Sequence, residues 1–244
     1  MVSSVYDLRA FYECKKGKII LPLLQQQIDT IWPDTKGDRI MGYGYAPPFL
    51  DRHRQESERV FSIMPSQMGV HAWLPGGKNL ACLSSESDLP IETESIDRLL
   101  VIHGLEFSSN IHVTLQEFWR IMKSTGRILV MVPNRNSLWS RAEWSPFGHG
   151  HPYSASQMIS VLRENLFVIE RVEKCLFIPP FRSSFLLRST LPAEKFGKRI
   201  LGGMGGVVAV EASKQLYSGL LANNTSRLNL GTRKVWVPSA APGG

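Results

Sequence analysis

The sequence predicts an α/β protein with a mainly parallel sheet, and three observations carry that prediction. Strand-like and helix-like patterns alternate over residues 39–165, as a parallel sheet with crossover helices requires. Ile96–Ile102 is apolar almost throughout, as a strand covered on both faces should be. Arg39-Ile40-Met41 runs directly into Gly42-Tyr43-Gly44-Tyr45-Ala46-Pro47, a glycine-spaced turn between a short strand and a helix opening at Pro48.

Taken in order, Ser4 and Asp7 mark a helix start, with Val5, Leu8 and Tyr12 on one face. Ile20, Leu23, Leu24, Ile28 and Ile31 give a second helical stripe between Gly17 and Pro33. After the glycine turn a polar helix is expected from about Pro48 to Glu58. Val60 to Met64 reads as a strand stopped by Pro65, and Leu80 to Leu83 as another. Thr114 and Glu117 form a capping-box pattern ahead of a stripe of Leu115, Phe118, Trp119 and Met122, with Gly126 expected as the C-cap. Arg127 to Val132 is the clearest strand signal. Ser154 and Gln157 open a helix with Met158, Val161 and Leu162 inward. Phe167 to Ile178 and Val207 to Ala212 are the closing strands, around a helix-like segment from Ser184 to Ile200.

Composition narrows the class of protein. A chain of 244 residues with 43% hydrophobic residues can bury a substantial core. No apolar run reaches the length of a membrane span, and the N-terminus lacks a signal-peptide plan, so no membrane association is expected. Cys14, Cys82 and Cys175 are unclustered, which suits reduced thiols and a cytoplasmic location. Lys and Arg total 28 against 21 acids, a net charge of +7. The basic residues are scattered without interleaved aromatics, so nucleic acid is an open but disfavoured partner.

The glycine turn supports two readings. Gly42 and Gly44 permit positive φ and close approach of a ligand, or they form an ordinary tight turn. In an open α/β sheet, ligands sit beyond the carboxyl ends of the strands near the point where strand order reverses. The loops there would bring Glu86, Ser87, Asp88 and the His103-Gly104 pair towards the turn. A nicotinamide-dependent oxidoreductase would also use a glycine turn, but the acid expected about 20 residues on is missing.

The run Leu89-Pro90, Ser95-Ile96-Asp97, His103-Gly104-Leu105-Glu106, Glu117 to Met122 and Gly126 to Val130 resembles the class I S-adenosylmethionine-dependent methyltransferases. Within them it is similar to the type 11 group, over about residues 38–175. Asn134 and the segment Pro146 to Tyr153 resemble a bacterial subgroup of it. The resemblance implies a Rossmann-like three-layer sandwich whose seven-stranded, mostly parallel sheet ends in an antiparallel last strand. With the helical patterns above, the chain divides into N-terminal helices over 1–36 packed on the core, a methyltransferase-like domain over 37–217 with an insertion at 179–206, and a tail over 218–244 whose Ser, Asn, Pro and Gly content predicts disorder. The resemblance implies S-adenosyl-L-methionine as cofactor and a small-molecule methyl acceptor, or alternatively a non-catalytic binding or regulatory protein on the same fold. The cofactor-binding positions it implies are Gly42, Tyr43, Gly44, Tyr45 and Ala46 at the turn, Met64 and Pro65 at the end of the second strand, Glu86 to Leu89 on the adenine side, and His103-Gly104. Two of them depart from the family pattern. Ala46 replaces a third glycine, and Met64-Pro65 stands where an acid normally holds the ribose hydroxyls.

Methyl transfer needs in-line placement and exclusion of water more than a particular side chain, so no catalytic residue is demanded. The histidines that could accept a proton are His149, His151 and His103. His149 and His151 lie in the loop after the fifth strand, beside Trp139 and Trp144. As a His-x-His pair they lack nearby cysteine or carboxylate co-ligands, so no metal site is expected.

Overall fold

The computed structural model describes residues 4–74, 77–189, 194 and 204–214. The 218–244 tail and most of the segment from 190 to 203 lie outside the described residues. Seven strands form one sheet: β1 (Arg39–Gly44), β2 (Arg59–Pro65), β3 (Ala81–Ser84), β4 (Ile96–Ile102), β5 (Met122–Pro133), β6 (Phe167–Cys175) and β7 (Val207–Lys214), in the order β3-β2-β1-β4-β5-β7-β6. Strands β1 to β5 pair in parallel. Strand β7 is antiparallel to both β5 and β6, so the sheet has the expected antiparallel last strand.

Apolar side chains alternate between two cores. Ile40, Leu100, Ile102, Leu129, Met131 and Ala209 face one layer, where they meet helices α1 (Val5–Glu13), α2 (Gly17–Ile31) and α3 (Pro47–Leu50). Met41, Leu99, Val101, Ile128, Val130 and Val210 face the other, under α4 (Ile111–Ile121) and α5 (Ala155–Glu164). A strand that must satisfy both layers reads as a continuous apolar run, which is why β4 and β5 were visible in the sequence. Each fully buried Leu or Val of this kind contributes about 1.5–3 kcal/mol relative to exposure. A sixth helix, α6 (Ser184–Ser189), follows β6. Among the described residues, no helix is long and apolar enough to cross a membrane.

The capping boxes of α1 and α5 form as the sequence indicates, with Ser4–Asp7 and Ser154–Gln157 each bonding reciprocally. Five expectations are corrected. Gly42 and Gly44 belong to β1, because β1 pairs with β4 through Gly44 opposite Ile102; the turn proper is Tyr45-Ala46. The helix expected to reach Glu58 stops at Leu50 and continues as a 3-10 turn over Asp51–Gln55. Glu58 N–H bonds the Asp38 carbonyl there, which draws the chain into β2. Helix α4 starts earlier than the Thr114–Glu117 pattern, capped by Asn110, and Thr114 is fully buried inside it. Gly126 lies within β5 rather than ending α4, because a Cβ there would meet the Lys123 and Ile96 carbonyl oxygens at 2.9 and 3.0 Å. Strand β6 ends at Cys175 instead of Ile178, where Leu176 turns the backbone to φ 63°.

Glu117 is used for tertiary structure. Its carboxylate accepts from the Leu89 N–H at 2.9 Å and pairs with Arg120, whose guanidinium also donates to the Leu89 and Ile91 carbonyls. The Arg120 hydrogen bond is the main cause holding the Glu117 carboxyl below its ordinary 4.5. A depressed folded-state pKa means stability present above the unfolded value and lost as pH falls through the folded one. Glu117→Gln should therefore melt earlier than the parent at pH 7. The gap should close below about pH 4.5, where the parent loses the same charge. Thermal melts across that range check it; a gap independent of pH would mean the charge contributes nothing.

Candidate functional site

Strand order reverses between β1 and β4, and the carboxyl ends of these two strands meet there. Two residues at that meeting have left-handed backbones: Gly44 at φ 83° and His103 at φ 50°. The space a Cβ would need at Gly44 is held by the Ile102 and His103 carbonyl oxygens, at 2.4 and 2.6 Å. Gly42 is bare for a different reason, since Ala46 Cβ and Leu50 Cδ1 would stand 2.5 and 2.7 Å from its Cβ. Both glycines are thus required by the protein's own packing. A histidine in a left-handed conformation is strained, and such strain concentrates at functional sites.

The His103 imidazole is buried and bonded on both nitrogens. Nδ1 lies 3.2 Å from Glu106 Oε1, and Nε2 lies 2.7 Å from the Tyr12 hydroxyl. Glu106 is itself buried, and its second oxygen accepts from the Gly104 N–H at 3.0 Å. The tight turn through the 3-10 segment Leu105–Phe107 places His103 and Glu106 on one side, three residues apart. A carboxylate on one ring nitrogen fixes the orientation of the imidazole and leaves the other nitrogen to exchange protons.

Tyr12 enters from α1. Its ring stacks on Tyr45 at 5.7 Å and 12°, and meets Phe49 edge-on at 5.3 Å. Phe147 closes the side of His103 at 5.4 Å. Burial is the largest cause raising the Tyr12 hydroxyl well above its ordinary 10.0, with Tyr45 and Glu106 adding to it. Burial, then the Glu13 carboxylate, pushes Tyr45 up to about 12.

The structure brings Gly44, Tyr45, Ala46, His103 and Gly104 together at this point. Tyr43 points to the opposite face of the sheet, where its ring meets Phe118 at 4.7 Å. Met64 and Pro65 are buried at the end of β2. Glu86 is spent on the approach to α4, accepting from the Ser109 and Asn110 N–H groups at 3.0 and 3.3 Å. Ser87 and Asp88 are exposed, and Leu89 is buried. His151 reaches the site by its backbone, its N–H donating to the Glu106 carbonyl at 2.8 Å, while its imidazole is exposed beside Arg135, Tyr153 and Gln157. His149 is half-buried in the same loop.

Tyr12 and Phe49 were not legible as site residues. Tyr12 falls on the apolar stripe of α1 with Val5 and Leu8, and nothing in that spacing separates it from a core tyrosine.

Residues 32–130 match the model of a methyltransferase domain. Over that stretch the chain is similar to a methyltransferase domain. Solved structures give the same fold at low identity. An S-adenosylmethionine-dependent methyltransferase from Thermotoga maritima shares 16% identity, with 86% of this chain and 96% of that one covered and a TM-score of 0.58. Another from Archaeoglobus fulgidus shares 19%, covering 80% and 94%, with a TM-score of 0.54. A geranyl diphosphate methyltransferase, solved with its diphosphate and sinefungin, shares 15%, covering 78% and 77%, with a TM-score of 0.52. No curated protein matches this chain in sequence.

The residues at the site can be tested against the methyl donor such a domain implies. The Tyr45 and Phe49 rings, with the buried Glu106 carboxylate behind His103, suit a sulfonium cation. The end of β2 suits the ribose less well, because Met64 and Pro65 carry no acceptor oxygen on their side chains. The donor set therefore fits at the sulfonium end, and ribose contacts must come from backbone or from other side chains.

Proposed function

We propose that this methyltransferase moves a methyl group from S-adenosylmethionine to a small-molecule acceptor, with His103 as the general base. The observation that carries the reading is the buried chain Tyr12 hydroxyl, His103 imidazole, Glu106 carboxylate at the junction of β1 and β4. When bound, the cofactor supplies an electrophilic methyl group on a sulfonium. Gly44, Tyr45 and Ala46 would line its methionine side and His103-Gly104 its far side. Glu106 holds the imidazole by Nδ1, so that Nε2 is presented to an acceptor proton. Phe147, Trp139 and Phe49 keep water away from that nitrogen, all three being nearly fully buried. The geranyl diphosphate enzyme among the structural neighbours is a precedent for a small acceptor on this fold.

A second reading is a methyltransferase-like binding protein without catalysis. Met64-Pro65 in place of a ribose-binding acid favours it, because a lost hydrogen-bonding acid costs about 1–3 kcal/mol of affinity. Calorimetry with S-adenosylmethionine and S-adenosylhomocysteine separates the two. The enzyme reading expects micromolar binding and a raised melting temperature. Binding weaker than about 1 mM, with no thermal shift, would sink it.

A further inference from the structure

Resting on that reading, we propose that the methyl acceptor is a phenol, and that the Tyr12 side chain stands in the place an acceptor ring would take. Three observations converge on this. First, Tyr12 comes from α1, outside the sheet, and crosses 91 positions of sequence to bond the one imidazole nitrogen that faces away from Glu106. Second, the slot is built for a planar ring: Tyr45 offers a parallel face at 5.7 Å, and Phe49 an edge at 5.3 Å and 87°. Stacked and edge-on contacts of this kind select aromatic over aliphatic groups. Third, the hydrogen-bonding end of the slot is His103 Nε2, 2.7 Å from the oxygen of the phenol that is already there. A slot with two aromatic walls and a single proton-accepting nitrogen at its end describes an aryl hydroxyl better than an amine, which brings a second or third N–H that nothing there accepts.

The chemistry balances. The phenol oxygen forms a bond to the methyl carbon as the carbon–sulfur bond breaks. The electron pair of that bond returns to sulfur, giving the neutral thioether. The phenol proton passes to His103 Nε2, and the imidazolium is held by the Glu106 carboxylate on Nδ1 until the proton leaves to solvent. Tyr12 is not itself consumed, because it leaves the slot with α1 before an acceptor enters. A phenol and Tyr12 therefore compete for one nitrogen.

Tyr12→Ala should vacate the slot. Calorimetry on the variant loaded with S-adenosylhomocysteine compares p-cresol, which is the tyrosine side chain as a free molecule, with toluene. A built acceptor site should take p-cresol at least about tenfold more tightly, since a pocket made to bond a hydroxyl rejects the analogue lacking it. A simple cavity would take both alike, and that result would overturn the proposal. With S-adenosylmethionine, mass spectrometry should find the methyl ether of p-cresol and no methylated p-toluidine, formed at least about tenfold faster by the variant than by the parent. Absence of the ether while S-adenosylhomocysteine still binds would refute the phenol and leave the methyltransferase reading standing. Failure to bind S-adenosylhomocysteine would remove both. If Tyr12→Ala does not fold, Tyr12→Val, which keeps a smaller apolar anchor on α1 but removes both the ring and the hydroxyl, takes its place in the same comparisons.

Discussion

Gly44→Ala should lower the melting temperature by about 10 °C, the largest stability effect expected of any single methyl group added at this site. Two costs add. An alanine at φ 83° is strained by about 1 kcal/mol. Its Cβ would also stand 2.4 Å from the Ile102 carbonyl oxygen and 2.6 Å from that of His103, and neither is a side chain that can swing aside. Backbone shifts of that kind cost about 1–3 kcal/mol more. For a domain of this size each kilocalorie moves the midpoint by about 2–4 °C. Gly42→Ala is the control, since the atoms its Cβ meets include the movable end of Leu50, and its backbone needs no positive φ. Differential scanning calorimetry on the two variants gives the comparison; equal losses would mean that the β1–β4 junction is not the constraint described. A loss of ligand binding in any Gly44 variant has to be read against this cost, because the packing fails before the ligand is reached.

His103→Asn should abolish methyl transfer while leaving a folded protein. Asparagine tolerates the left-handed backbone that residue 103 adopts, and so keeps the turn into Gly104. Its amide is not a base. Loss of a positioned general base typically reduces turnover by about 10²–10⁴-fold. His103→Ala should do the same to turnover and also destabilise by about 3 kcal/mol, because it leaves the Tyr12 hydroxyl and a Glu106 oxygen buried without the imidazole. Turnover measured beside S-adenosylhomocysteine affinity separates a base from a wall. If His103→Asn binds the product as the parent does and still turns over, the base is another group, and the His149–His151 loop becomes the place to look.

The sheet was legible in the sequence because its strands obey one constraint twice. Residues of β4 and β5 feed two cores in alternation, so polar residues are nearly absent from their middles. The antiparallel β7 was legible only through family resemblance, since a buried apolar run carries no direction. The expected helix ends failed where tertiary bonds outweighed local pattern. Glu117 looks like half of a capping box, yet Arg120 and the Leu89 N–H claim its carboxylate. Gly126 looks like a helix stop, yet Met122 already pairs with Ile96 across the sheet. The site was half legible. The glycines close β1 and His103 follows β4, so both were marked by position. Glu106 needed the turn that folds it back onto His103, and Tyr12 needed a contact that no local spacing encodes.

The bond between Tyr12 and His103 also has a bearing on synthesis. Helix α1 is made before the sheet, and although Tyr45 and Phe49 can pack on the Tyr12 ring earlier, the Tyr12 hydroxyl has no imidazole to bond until β4 and the turn after it have been made. That hydroxyl must wait while about ninety further residues are added, at the usual ~5–20 residues per second, before the bond can form. Formation of that bond would then be a late event of folding, completing the site only after the sheet that carries it exists.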